Sequence, residues 1–146
     1  MDVYDTQIDK WSSFDLSKNG DVPKARSVHA LIPVSPTRND LGQVVALLLF
    51  GELDPAPVEL GHDGAGKFSN EVWALVCPKG SDPEDLEGFE KFKWVKVEGD
   101  GEGEWPEARG WFGASAWVDG KVVVVGGLNA RNERLGDSWI LKVNRY

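Results

Sequence analysis

The chain is poor in the residues that most often carry chemistry. Its single cysteine, Cys77, excludes an internal disulfide and fits a reducing compartment. Its histidines are His29 and His62 and its tyrosines Tyr4 and Tyr146, and neither zinc-type His/Cys spacing nor a Gly-x-Ser-x-Gly nucleophile elbow occurs. The longest apolar run, Val44 to Phe50, is far below the ~20 residues of a membrane span. After Met1 come Asp2, Tyr4 and Asp5, with no basic stretch and no apolar stretch of the kind a signal peptide needs. There is no Asn-x-Ser/Thr acceptor. Basic residues are also in deficit: 16 Lys and Arg face 24 Asp and Glu, for a net charge of −8. Such a surface repels phosphate backbones and acidic headgroups, which excludes nucleic acid and membrane as expected partners. A soluble, cytoplasmic protein is the expectation.

What is present is strand-forming. Hydrophobic residues make up 41% of the chain, enough for a packed core, and 17 Gly and 8 Pro make it rich in turns. Residues 28–34, 44–50, 71–77, 92–97, 111–118, 121–125 and 138–143 are short, apolar or alternating, and bounded by turn residues, which predicts strands. The nearly continuous apolar runs 44–50 and 121–125 are expected to be buried on both faces. No long stretch holds a helical period, and only 82–91 has the composition of a short helix. The acidic runs 82–90 and 98–104 read as solvated loops.

The chain also resembles itself. Residues 23–26 (PKAR) precede a strand, an apolar run ending in Gly51-Glu52, a long loop, and then Asn70-Glu71-Val72-Trp73. Residues 106–109 (PEAR) precede a strand, an apolar run ending in Gly126-Gly127, a loop, and then Asp137-Ser138-Trp139. The offset from Arg26 to Arg109 is 83 residues, lengthened by a wide loop after Glu52 and by the acidic segment before Trp94. Val3-Tyr4-Asp5-Thr6, running to Trp11, reads as the tail of a preceding unit.

The order Arg, strand, Gly-Gly, acidic or amide residue, aromatic, Trp resembles the kelch motif, a four-stranded β-propeller blade of about 50 residues. The resemblance implies an all-β fold of antiparallel blades forming an incomplete propeller, about two blades and part of a third. On that basis 1–17 is the tail of a preceding blade. Residues 18–98 are a blade with a long loop at 51–70 and an acidic insertion at 78–91, and 99–146 are a blade lacking its outer strand. Within kelch proteins, Arg109-Gly110-Trp111 and the loop carrying Gly126, Gly127, Asn132, Arg134 and Asp137 look like the last blade of the plant specifier proteins: the epithiospecifier, nitrile-specifier and thiocyanate-forming proteins. The blade with Arg26, Gly51-Glu52 and 62–67 looks like their penultimate one.

That likeness implies an Fe(II) site in the loop after Gly51-Glu52, since carboxylates and an imidazole suit iron with open positions. Its ligands here would be Glu52, Asp54 and His62, with Glu59 as the substitute for Asp54. The family pattern is Glu-x-x-x-Asp-x-x-x-His, whereas here Asp54 follows Glu52 by two residues and His62 follows Asp54 by eight, with Pro55 and Pro57 between. Arg26 and Arg109, at the starts of innermost strands, are candidate sulfate or carboxylate holders. The alternative is a structural role in bonding loop carbonyls. His29 reads as a buried, satisfied residue, and Trp111, Trp117 and Trp139 read as core aromatics. Residues 61–67 (GHDGAGK) have phosphate-loop spacing, but Phe68 replaces the required hydroxyl and a strand follows, so nucleotide binding is rejected. The copper-radical chemistry of galactose oxidase, a relative in fold, needs more Tyr and His than are present.

Two functions are expected from these residues. The first is a scaffold whose loops on one propeller face bind a protein or a small ligand. The second is a specifier-like, Fe(II)-dependent lyase acting on glucosinolate aglucones. Self-association to complete a propeller is a further expectation, because isolated blades leave sheet edges open.

Overall fold

The computed structural model describes residues 1–39, 42–84, 86–99 and 104–142, with the side chains of 35–39, 62, 63, 86 and 87 left out. All regular elements among them are strands and short 3-10 helices. In chain order the strands are β1 (Asp2–Asp5), β2 (Lys10–Ser13), β3 (Ala30–Asn39), β4 (Gly42–Leu49), β5 (Glu52–Asp54) and β6 (Lys67–Phe68). There follow β7 (Val72–Pro78), β8 (Lys93–Val97), β9 (Gly113–Ala116), β10 (Lys121–Val125) and β11 (Ser138–Lys142). They form antiparallel sheets in the orders β1-β2, β3-β4-β7-β8, β5-β6 and β11-β10-β9, none of them closed. Among the described residues no helix is long and apolar enough to cross a membrane.

Strand register divides each large sheet into two faces. In the four-stranded sheet the rows Ala30-Leu49-Val72-Val97 and Ile32-Leu47-Ala74-Val95 share one face. This face packs on Val122, Val124, Ala114, Trp139 and Leu141 of the three-stranded sheet to make the main core. Leu47, Leu49 and Phe50 are fully buried there, each contributing about 1.5–3 kcal/mol. The opposite face carries Ala46, Leu75, Cys77 and Trp94. Phe14, Leu16, Phe89 and Phe92 cover them from the N-terminal segment and from a 3-10 helix at Leu86–Lys91. The middle sheet is therefore covered on both sides, and β7 is buried along almost its whole length.

The internal repeat holds in the backbone. Ser27 and Glu52 exchange both backbone hydrogen bonds at 3.0 and 2.8 Å, and Gly110 and Leu128 do the same at 3.0 and 2.8 Å. Val28 and Trp111, the next residues along, both take the left-handed conformation, with φ of 48° and 49°. A bulky residue there is strained by about 1–3 kcal/mol, so the surroundings impose the same turn twice. Gly51 (φ 101°) and Gly127 (φ 118°) each lie two residues beyond the second strand of their units. A Cβ on Gly51 would lie 2.7 Å from the Ser27 carbonyl and one on Gly127 2.9 Å from that of Gly110, so glycine is required by both φ and contact.

Several expectations are corrected. Residues 121–125 alternate: Val122 and Val124 are buried, but Val125 is 51% exposed, because among the described residues nothing covers the outer face of the three-stranded sheet. Trp111 and Trp117 are each 52% exposed. The first sits on the left-handed turn before β9, and the second follows β9 at the turn into β10, with the Lys121 ammonium 5.9 Å from its ring. Of these three tryptophans, Trp139 alone packs into the core. His29 is exposed, its residue lying against Gly51 at the turn. In the 82–90 run Asp82, Pro83, Glu84 and Glu90 are exposed, but Phe89 is buried and, with Phe92, plugs the second core, the two rings stacking at 4.5 Å.

Candidate functional site

One end of the stacked sheets gathers most of the sequence-predicted residues. The turns at Arg26–Val28, Phe50–Glu52, Phe68–Glu71 and Arg109–Trp111 converge there. Gly51 N–H donates to the Arg109 carbonyl at 3.0 Å, and Trp111 N–H donates to the Val28 carbonyl at 3.3 Å, tying the two units together. Gly110 leaves no room for a side chain beside Val28 and Phe68, and the Phe68 and Trp111 rings meet edge-on at 5.8 Å.

Arg109 is fully buried. Its Nε donates to the Glu107 carbonyl at 2.9 Å, one terminal nitrogen to the Gly126 carbonyl at 2.9 Å, and both terminal nitrogens to the Asp137 carboxylate at 2.6 and 2.8 Å. Arg26, with 2% of its side chain exposed, repeats this. Its Nε donates to the Lys24 carbonyl at 3.0 Å, and its terminal nitrogens to the Phe50 carbonyl at 2.9 Å and to Glu71 at 3.1 Å. The tryptophan two residues beyond each acid closes the set: Trp73 Nε1 donates to Glu71 at 3.1 Å and Trp139 Nε1 to Asp137 at 2.6 Å. These bonds hold the carboxyls low. Asp137 is brought to about 2, by Arg109 first and Trp139 next. Glu71 is also at about 2, by Lys96 first and then Trp73 and Arg26. Of the five donors a guanidinium offers, at least four on each arginine are committed within the fold.

The wide loop rises from the same end. β5 and β6 pair at its base, and a 3-10 helix at Val58–Asp63 forms its crest, leaving Val58 92% exposed and Leu60 52% exposed. Glu52 accepts a hydrogen bond from Ser27 Oγ at 3.1 Å, and its carboxylate lies so close to Gly66 that no Cβ fits there. Asp54 and Glu59 are exposed. His62 belongs to the crest helix by its backbone, and its side chain lies outside the described set. Among the described residues no three His, Cys, Asp or Glu side chains converge as a metal site. Lys67, which would end a phosphate loop, opens β6 rather than a helix.

Sequence reasoning missed the acids that pair with the arginines, although both precede a repeated tryptophan by two residues. It also missed buried Asn129, whose Oδ1 accepts from Arg131 N–H and Glu133 N–H at 3.0 Å each and shapes the 128–134 loop. Arg131 adds an exposed ion pair to Glu107 at 3.1 Å. No family model and no curated protein matches this chain.

Proposed function

We propose that the chain consists of consecutive kelch-type propeller blades whose loops at the Arg26/Arg109 end form a binding surface for a protein or small ligand. The observation that carries this reading is the twofold Arg–carboxylate–Trp constellation. It spends the arginines on rigidity and leaves Trp111, Val58, Leu60, Asp54 and Glu59 facing solvent on one end. A rigid stack presenting loops with one exposed aromatic and exposed apolar residues is how repeat scaffolds recognise partners. The two equivalent sheets point the same way, so the open outer face of the second is offered to a further sheet of the same kind, from this chain or from another copy. A reducing, cytoplasmic setting accords with the free, buried Cys77.

An Fe(II)-dependent lyase would need Glu52, Asp54 and His62 to act together. The Glu52 carboxylate instead accepts from Ser27 Oγ, which favours the scaffold. The reading is tested by selecting a displayed peptide library on the immobilised chain. Binders should lose affinity on Trp111→Ala and Leu60→Ser but not on Trp117→Ala. Binders insensitive to the first two changes would contradict it, as would stoichiometric iron retained after anaerobic loading and lost in His62→Ala.

A further inference from the structure

The two larger sheets match in register. The row Ala30-Leu49-Val72 of the four-stranded sheet corresponds to Gly113-Val125-Ser138 of the three-stranded one, and Ile32-Leu47-Ala74 corresponds to Ser115-Val123-Ile140. The rows of the four-stranded sheet lie in the main core, against the three-stranded sheet. Their counterparts face away from that core, and Val125 and Ile140 are exposed. The open face thus occupies the place of the face that, one unit earlier, receives the next sheet. The hairpin β1-β2 stands one unit earlier again. Asp2-Val3-Tyr4 repeats the order of Glu71-Val72-Trp73 and Asp137-Ser138-Trp139, an acid with an aromatic two residues on. Val3 turns toward the four-stranded sheet and joins its second core, as Val72 turns toward the three-stranded sheet. Tyr4 therefore takes the place of Trp139, which packs backward onto the preceding sheet. Register sets Trp11 opposite Tyr4, with the rings 5.0 Å apart, and Trp11 is 67% exposed.

These two exposed faces correspond to the two halves of the interface that the sheets already make within the chain. We propose that the Tyr4/Trp11 face of the hairpin docks on the Val125/Ile140 face of a second copy, head to tail. The inference rests on the reading of the sheets as equivalent consecutive units, and it names what covers the last of them. Burial of two aromatic rings against branched side chains supplies the drive. Charge agrees at the end remote from Arg26 and Arg109. There the open face ends in Lys121 and Lys142, paired in register, with Asp119 as the acid of the adjoining turn. β1 runs in the sense of β11, so its turn lies at the same end, carrying Asp5 and Asp9 against Lys10. A net positive edge thus meets a net negative one. The contact is heterologous: each copy keeps one half free after the first docking.

The test is light scattering of the full chain and of two variants at about 100 µM. Trp11→Lys removes the docking half and Val125→Lys/Ile140→Lys the receiving half, all at exposed positions. We expect the wild-type chain to exceed the mass of one chain and each variant alone to scatter as one chain. Their equal mixture should scatter as two chains, because each variant supplies the half that the other lacks. Unchanged circular dichroism verifies the fold of each variant. Leu60→Ser, on neither face, should leave association unchanged, so loss of peptide binders and loss of assembly are separate results. A monomeric wild-type chain, or a mixture that stays at the mass of one chain, overturns the proposal. So does a Trp11→Lys chain that still associates, which is what a symmetric contact between two open faces would give.

Discussion

Arg109 grips Asp137 with both terminal nitrogens, at 2.6 and 2.8 Å, inside a unit where its side chain has no solvent exposure. The equivalent pair, Arg26 and Glu71, is joined by one nitrogen at 3.1 Å, and Glu71 shares its other oxygen with Lys96 at 2.9 Å. The two constellations do one job with unequal strength, and several measurable differences follow from that inequality.

Removing Arg109 leaves the Gly126 carbonyl without that donor and the Asp137 carboxylate without its counter-ion. Arg109→Met is expected to destabilise the chain by about 2–4 kcal/mol, below the full figure for a buried pair because Asp137 is 39% exposed. Arg109→Lys should recover only a minor part, because an ammonium cannot reproduce the planar fork. Urea unfolding with an unchanged denaturant slope measures both. Arg26→Met should cost less than Arg109→Met.

Both paired acids titrate at about 2 in the folded chain, below the ordinary carboxylate range. A depressed folded value contributes stability that is fully present above the unfolded value. That stability is lost as pH falls toward the folded one. Stability should therefore decline from about pH 4.5 down to about pH 2, and Asp137→Asn should flatten that decline. Melting temperatures across this range check it, and an unchanged slope in the variant would count against the pairing.

Gly51→Ala and Gly127→Ala should each destabilise by about 1–3 kcal/mol, since both combine a positive φ with a carbonyl in the path of the new Cβ. Gly20→Ala, where φ is 136° but no atom lies within 4 Å, isolates the strain alone. A Gly51 or Gly127 variant no worse than Gly20→Ala would show that close approach is not what selects glycine there.

The internal repeat was legible because Arg26, Arg109, Gly51, Gly127, Trp73 and Trp139 are fixed by their own chemistry: a fork of donors, a positive φ, a flat ring with one N–H. Exposure was less legible, because it depends on what lies across a face. Val125 and Val122 look alike in the chain, yet only Val122 meets the other sheet. Trp111 has the look of a strand aromatic but stands on a left-handed turn, and Phe89 sits in an acidic run yet plugs a core. The candidate loop was legible as a location, while the Ser27 hydrogen bond to Glu52 joins segments distant in the chain.

The open face of the three-stranded sheet, with Val125 and Ile140 exposed and β11 an unpaired edge among the described strands, should drive head-to-tail association. Val125→Lys/Ile140→Lys is expected to shift the chain to a monomer in light scattering without lowering its stability. A wild-type chain already monomeric at about 100 µM, a concentration at which exposed sheet edges associate, would contradict this.

The most direct measurement of the repeated constellation is hydrogen exchange of side-chain N–H groups by NMR. The Arg26 and Arg109 Nε–H groups and the Trp73 and Trp139 indole N–H groups are all expected to exchange slowly. Glu71→Gln should release Trp73 alone and Asp137→Asn Trp139 alone. Fast exchange at either arginine, or variants that release neither tryptophan, would contradict it.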